Sequence, residues 1–187
     1  TVSKLAKDSQ QRMEYYLGRG GTALEKDVFK ILNKQAQNTI FQNNIELISG
    51  QKFPDIVAYV NKNKAYGIEV KTTKANKWKS TGSSIFEGTR VDDVKNIHLL
   101  FGKLVDPVEF KCRRYEECLY DVAITHSPRY LIDMDTTFEN SIFSKVGVGY
   151  ETLRKLPNPF KPIKKYFREH LKKGEDIWWI DTTEDSV

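Results

Sequence analysis

Cysteine is nearly absent: Cys112 and Cys118 are the only two in 187 residues, too few for a disulfide framework and without the close pairing of a zinc site. That usage suits a reducing compartment, and a cytoplasmic location is the expectation. Long apolar runs are missing as well. No segment approaches the roughly 18 consecutive apolar residues that span a bilayer, and the N-terminus has no apolar stretch of signal-peptide type, so neither secretion nor membrane insertion is expected. Internal repeats, low-complexity tracts and Pro/Gly-rich linkers are absent too, which leads to one domain over 1–187. The first residue is Thr1 and not Met, so the reading leaves room for a piece of a longer chain.

There is no acidic excess either. Thirty Lys and Arg stand against 25 Asp and Glu, a formal charge of +5 with a pI near 9.0, and a field of that sign draws polyanions toward the surface. Charge alone is a weak pointer to nucleic acid. With 39% hydrophobic residues, the chain can bury a sizeable core.

Hydrophobic periodicity predicts a helix over Ser3–Leu17, closed by Gly18, Gly20 and Gly21. A second helix is expected from Thr22, as its cap, to about Asn38, with Leu24, Val28, Ile31 and Leu32 as its apolar stripe. Three strands follow, Ile45–Ile48, Asp55–Val60 and Ala65–Thr72, the last two folded into a hairpin by Asn61-Lys62-Asn63-Lys64. Later apolar segments at Ile97–Leu104, Val108–Lys111, Cys118–Thr125 and Tyr130–Met134 extend a sheet. A helix with Ile163, Tyr166, Phe167, His170 and Leu171 on one face, and a short strand Ile177–Ile180, end the pattern. These elements give an α/β (α+β) fold: a central mixed sheet flanked by helices.

The chemistry concentrates on the third strand. Side chains alternate across a strand, so Gly67, Glu69 and Lys71 emerge on one face while Tyr66, Ile68 and Val70, read as core, emerge on the other. Asp55 begins the neighbouring strand, and the hairpin folds it back beside Glu69. Two carboxylates so close repel one another, a conflict that a divalent cation with oxygen preference, such as Mg2+, removes. The ammonium of Lys71 points to the same spot, where it can position water and offset charge on a phosphate under attack. Such a set is suited to hydrolytic phosphodiester cleavage.

Phe53-Pro54-Asp55, followed fourteen residues after the Asp by Glu69-Val70-Lys71, resembles the motif of the PD-(D/E)XK nuclease superfamily. The resemblance implies a restriction-endonuclease-like fold, with Asp55 and Glu69 as metal ligands and Lys71 as the catalytic cation. It covers about residues 22–104, the expected catalytic core. Members often carry a further Glu on the preceding helix. Glu25, which shares a helix side with Val28, Phe29 and Leu32, fits as a third metal ligand and catalytic residue. The segment Trp78–Arg90 is similar to bacterial type II restriction endonucleases. Lys74, Lys77, Trp78, Lys79 and Arg90 are expected DNA contacts, because the segment after Lys71 is cationic with only Glu87 opposing, and Lys52, just before the motif, is expected near the phosphates too. Gln51 also lies close to the motif.

The function expected from this is a magnesium-dependent, site-specific double-stranded DNA endonuclease of restriction type. A homodimer suits a symmetric target cut on both strands. A structure- or damage-directed nuclease, of junction-resolvase or repair type, would use the same metal site. A non-cleaving DNA-binding module on the same fold is the reading from a different class, and it has no chemical need for all of Asp55, Glu69 and Lys71. His98, His126 and His170 lack metal-site spacing and are read as structural, as are Trp178 and Trp179. The basic face of the last helix, Lys164 to Lys173, is read first as a solvated surface.

Overall fold

The computed structural model describes residues 1–92, 94–124, 126–175 and 177–179. Its order is α1 (Val2–Gln11), α2 (Met13–Leu17), α3 (Gly21–Ala36), β1 (Ile45–Leu47), β2 (Ile56–Asn61), β3 (Lys64–Thr73), β4 (Lys79–Ser84), β5 (Val94–Lys103), β6 (Glu109–Arg114), β7 (Leu119–Ile124), β8 (Pro128–Asp133), α4 (Ile142–Val146), α5 (Tyr150–Leu153) and α6 (Phe160–Glu169). The fold is α+β. A five-stranded mixed sheet runs β1-β2-β3-β5-β6, and a second sheet of three strands runs β4-β8-β7. No helix among the described residues is long and apolar enough to cross a membrane.

Residues near both faces of the larger sheet are buried. On one side, Leu5 of α1, Tyr16 of α2, and Leu24 and Val28 of α3 pack with Ile56, Val70 and Leu100. On the other, Val57, Ala65, Ile97, Leu99 and Phe101 pack with Leu119, Tyr130 and Ile132 of the small sheet and with Ile142, Tyr150 and Ile163 of the C-terminal helices. β3 is central, antiparallel to β2 and parallel to β5. Of the three residues expected as the core face of β3, Val70 is buried as expected, and the other two are a correction. Gly67 and Glu69 are buried, whereas Tyr66 and Ile68 are only half-buried. A strand covered from both sides buries residues on both of its faces, and alternation alone cannot reveal that.

The first expected helix is two. The break falls at Arg12, with φ −134° and ψ 47°. In an unbroken helix, positions 8 and 16 lie about 12 Å apart along the axis. The break lets Tyr16 donate to Asp8 Oδ2 at 2.7 Å while Arg12 Nη2 reaches the same oxygen at 2.6 Å. α3 begins one residue before Thr22, with Gly20 in the cap position and no side-chain cap. Residues 177–179 are not a strand, and Ile180 lies outside the described residues; Trp179 packs its ring on Phe160 and Phe167. His170 is exposed at the end of α6, stacked on Tyr166, and so departs from the apolar face expected for it.

Candidate active site

The β2–β3 hairpin builds the site. Its register pairs Ile56 with Ile68 and Val57 with Gly67, and one step further outward it faces Asp55 with Glu69. The Asp55 backbone is pinned on its other edge, where its carbonyl accepts from the Ile48 N–H at 2.8 Å. Its side chain is fixed across the hairpin: Oδ2 accepts from the N–H of Val70, between Glu69 and Lys71, at 2.7 Å. Gly67 makes the approach possible. A Cβ there would lie 2.5 Å from Pro54 Cγ and 2.9 Å from Val94 Cγ1, so only glycine lets Pro54, and Asp55 after it, sit this close to β3.

Glu69 is 5% exposed, and Lys71 Nζ lies 2.5 Å from its Oε1. Burial, and then the Asp55 charge, push the Glu69 carboxyl up to about 7 against the pull of the Lys71 ammonium. Asp55 is raised as well, chiefly by burial, while the Val70 N–H, Lys71 and a hydrogen bond with Glu69 act to lower it. Glu25 reaches the same field from α3. Its carboxyl is raised, first by burial and then by the Asp55 charge, with Lys71 and Lys26 opposing. A Cβ built on Gly21 would lie 3.9 Å from both Glu25 Oε1 and Thr72 Oγ1, which places Glu25 beside the end of β3.

The structure therefore gathers Asp55, Glu69 and Lys71 tightly and brings Glu25 within electrostatic range. Among the described residues no three His, Cys, Asp or Glu side chains stand at metal-holding separation, so Glu25 does not close a three-carboxylate cluster in this conformation. Asp55 and Glu69 still fit a magnesium ion. They offer hard oxygen donors and a mutual repulsion that a dication relieves, and magnesium takes one or two protein carboxylates while keeping several waters.

The expected DNA contacts divide. Lys52, Lys74 and Lys77 are exposed, as is Gln51. Lys79 opens β4 and pairs with Asp133 at 3.1 Å, its side chain still 52% exposed. Trp78 is half-buried against the core, edge-on to Phe101, with the ammonium groups of Lys103 and Lys111 near its ring. That packing leaves Trp78 only partly exposed.

Arg90 is a correction. Its side chain is 6% exposed; Nη1 donates to Glu87 Oε2 at 2.8 Å and Tyr150 Oη at 2.9 Å, and Nη2 to Val94 O at 2.5 Å. A guanidinium enclosed in this way cannot reach a phosphate. It anchors the loop whose Thr89 and Val91 bond the backbone of Phe53, two residues before Asp55, so it supports the site from inside.

Tyr115 escaped sequence reasoning. It is fully buried, bonds the N–H and hydroxyl of Ser83, and lies close enough to Glu69 to feel its charge. It stands 46 residues after Glu69 in the chain, and no local pattern links the two. Comparison with known protein families finds no family model that matches this chain, and comparison with curated proteins finds no match either.

Proposed function

We propose that the chain is a magnesium-dependent endonuclease that hydrolyses phosphodiester bonds in double-stranded DNA, site-specific in the manner of the type II restriction enzymes its motif resembles, and working as a homodimer. The observation that carries this reading is the meeting of Asp55 and Glu69 across one hairpin, with the Lys71 ammonium 2.5 Å from Glu69. Asp55 and Glu69 hold the ion, Asp55 with its geometry set by the Val70 N–H. Bound there, magnesium supplies Lewis-acid activation of water and of the phosphoryl group. Lys71 orients the attacking water and offsets the negative charge that grows on the phosphoryl oxygens. Glu25, already in the field of Asp55, is the candidate for a further ligand. Lys52, Lys74 and Lys77, exposed and near Asp55 and Lys71 in the chain, suit sequence-independent phosphate contacts, with Lys79 able to exchange Asp133 for phosphate. The proposed setting is the cytoplasm, where Cys112 and Cys118 stay thiols.

The test is incubation with unmethylated plasmid or phage DNA, with and without magnesium, beside Asp55→Ala. Discrete fragments that require both magnesium and Asp55 are expected. Intact linear duplex would refute the site-specific reading, and cutting of branched substrates alone would assign the site to a structure-directed nuclease.

A further inference from the structure

α1, α2 and α3 border an open groove of about 600 Å3 that the proposed catalysis does not use. Lys4 and Lys7 line it from α1, and Lys30 and Lys34 line it from α3. Within each pair the residues are about one turn apart, some 4.5–6 Å along the helix. All four are exposed, and none takes part in an ion pair among the described residues, in contrast to Lys79, Lys103 and Lys111, which each hold a carboxylate.

Two carboxylates line the groove, Asp8 and Asp27, and each is ion-paired with a nearby arginine, Arg12 and Arg19. Asp8 accepts from Arg12 at 2.6 Å and from Tyr16 at 2.7 Å; Asp27 accepts from Tyr15 at 2.8 Å and faces Arg19 Nε at 3.2 Å. The guanidinium groups of Arg12 and Arg19 lie 4.1 Å and 3.8 Å from the centre of the Tyr15 ring, so the acids, arginines and tyrosines form a self-neutralised wall beneath four uncompensated ammonium groups.

Two rows of hydrated point charges along an open trough suit a polymer that repeats its negative charge. At 100° per residue, Lys30 and Lys34 lie about 140° and 180° around α3 from Glu25, so the groove is on another side of the helix from the carboxylate site. We propose that this groove grips the phosphodiester backbone of a DNA duplex away from the point of cleavage, as a sequence-independent anchor. The choice of DNA as the polyanion rests on the nuclease reading above.

The experiment measures binding of a fluorescent 30-base-pair duplex across a salt series in EDTA, so that no cleavage is required. It compares the unaltered chain with Lys4→Gln/Lys7→Gln/Lys30→Gln/Lys34→Gln and with a control of equal charge change at four other exposed lysines, Lys62→Gln/Lys64→Gln/Lys95→Gln/Lys155→Gln. Each lost phosphate contact flattens the plot of log affinity against log salt by about 0.9. The groove variant is expected to flatten it by about 2–4 and to bind at least tenfold more weakly at low salt, with the control close to the unaltered chain. An unchanged slope, or an equal loss in the control, overturns the proposal. Unchanged duplex binding alongside lost binding of poly-glutamate assigns the groove to an acidic polypeptide and overturns it too. All substituted side chains are exposed, and thermal melts check that each variant folds. Normal plasmid cleavage with a groove variant that binds like the unaltered chain sinks only the groove; weakened binding with no cleavage by the unaltered chain sinks only the nuclease.

Discussion

Replacing Glu69 by Gln should make the metal-free protein more stable and catalytically dead, and the size of the gain follows from its surroundings. The carboxyl is raised from 4.5 to about 7, mainly by burial. The native state therefore holds its proton more tightly than the unfolded chain does. The sign is the reverse of an ordinary salt-bridged acid: no penalty exists below about pH 4.5, it grows between there and about 7, and it is full above that. At about 1.4 kcal/mol per pKa unit, the penalty is on the order of 3 kcal/mol at pH 8. Gln keeps the shape and removes the charge, and Lys71, 27% exposed, can turn to water. Thermal melts in EDTA should show Glu69→Gln gaining up to roughly 6–12 °C at pH 8 and nothing at pH 4.5. Magnesium should raise the melting point of the unaltered chain at pH 8 and leave that of the variant where it was. A variant destabilised equally at both pH values would refute the reasoning, since Glu69 would then be an ordinary stabilising partner of Lys71.

Lys71→Ala should abolish cleavage while duplex affinity in EDTA stays within about twofold; lost binding with normal turnover of bound DNA would contradict the assigned role. Glu25→Gln should raise the magnesium concentration needed for half-maximal cleavage, and undiminished cutting across a magnesium titration would remove Glu25 from the mechanism. Gly67→Ala should cost about 1–3 kcal/mol by overpacking and depress cleavage further than stability, because the new methyl drives against Pro54 beside Asp55; a melt and a rate on the same sample check both. Arg90→Ala should cost about 3–5 kcal/mol by stranding the buried Glu87 carboxylate, with unchanged DNA affinity in whatever remains folded; weaker binding at full stability would restore Arg90 as a DNA contact.

The elements legible in the sequence are those specified by neighbours. α3 follows from its apolar stripe, and β2 and β3 follow from apolar runs joined by a polar turn. The later segments became β5, β6, β7 and β8 with ends shifted by up to a few residues, Thr125 lying outside the described residues. What stayed hidden depends on distant partners. Lys79–Ser84, with the sequence KSTGSS, lacks any apolar alternation and reads as a DNA-binding loop, yet it is a strand because β8, some fifty residues on, supplies its ladder. Arg90 looks like one more cation in a basic segment. The groups that enclose it include Tyr150 and Glu151, 60 and 61 residues further along.

The same division runs through the candidate site. Which residues meet was readable, because a two-residue period and one short turn bring Asp55 opposite Glu69 and set Lys71 on the side of Glu69. How dry they are was not. The dryness comes from β5, paired parallel to β3 after a long crossover, and from the small sheet and C-terminal helices packed over that side of the core. Together they turn what alternation assigned to a polar face into an interior, and burial is the leading cause of the raised carboxyls at Asp55 and Glu69. A surface pair at the same spacing would feel only the mutual repulsion, screened by water, and not the desolvation. On the proposed reading the motif names the participants, while the non-local packing creates the electrostatic strain that a metal would relieve, and that replacing Glu69 by Gln would relieve without one.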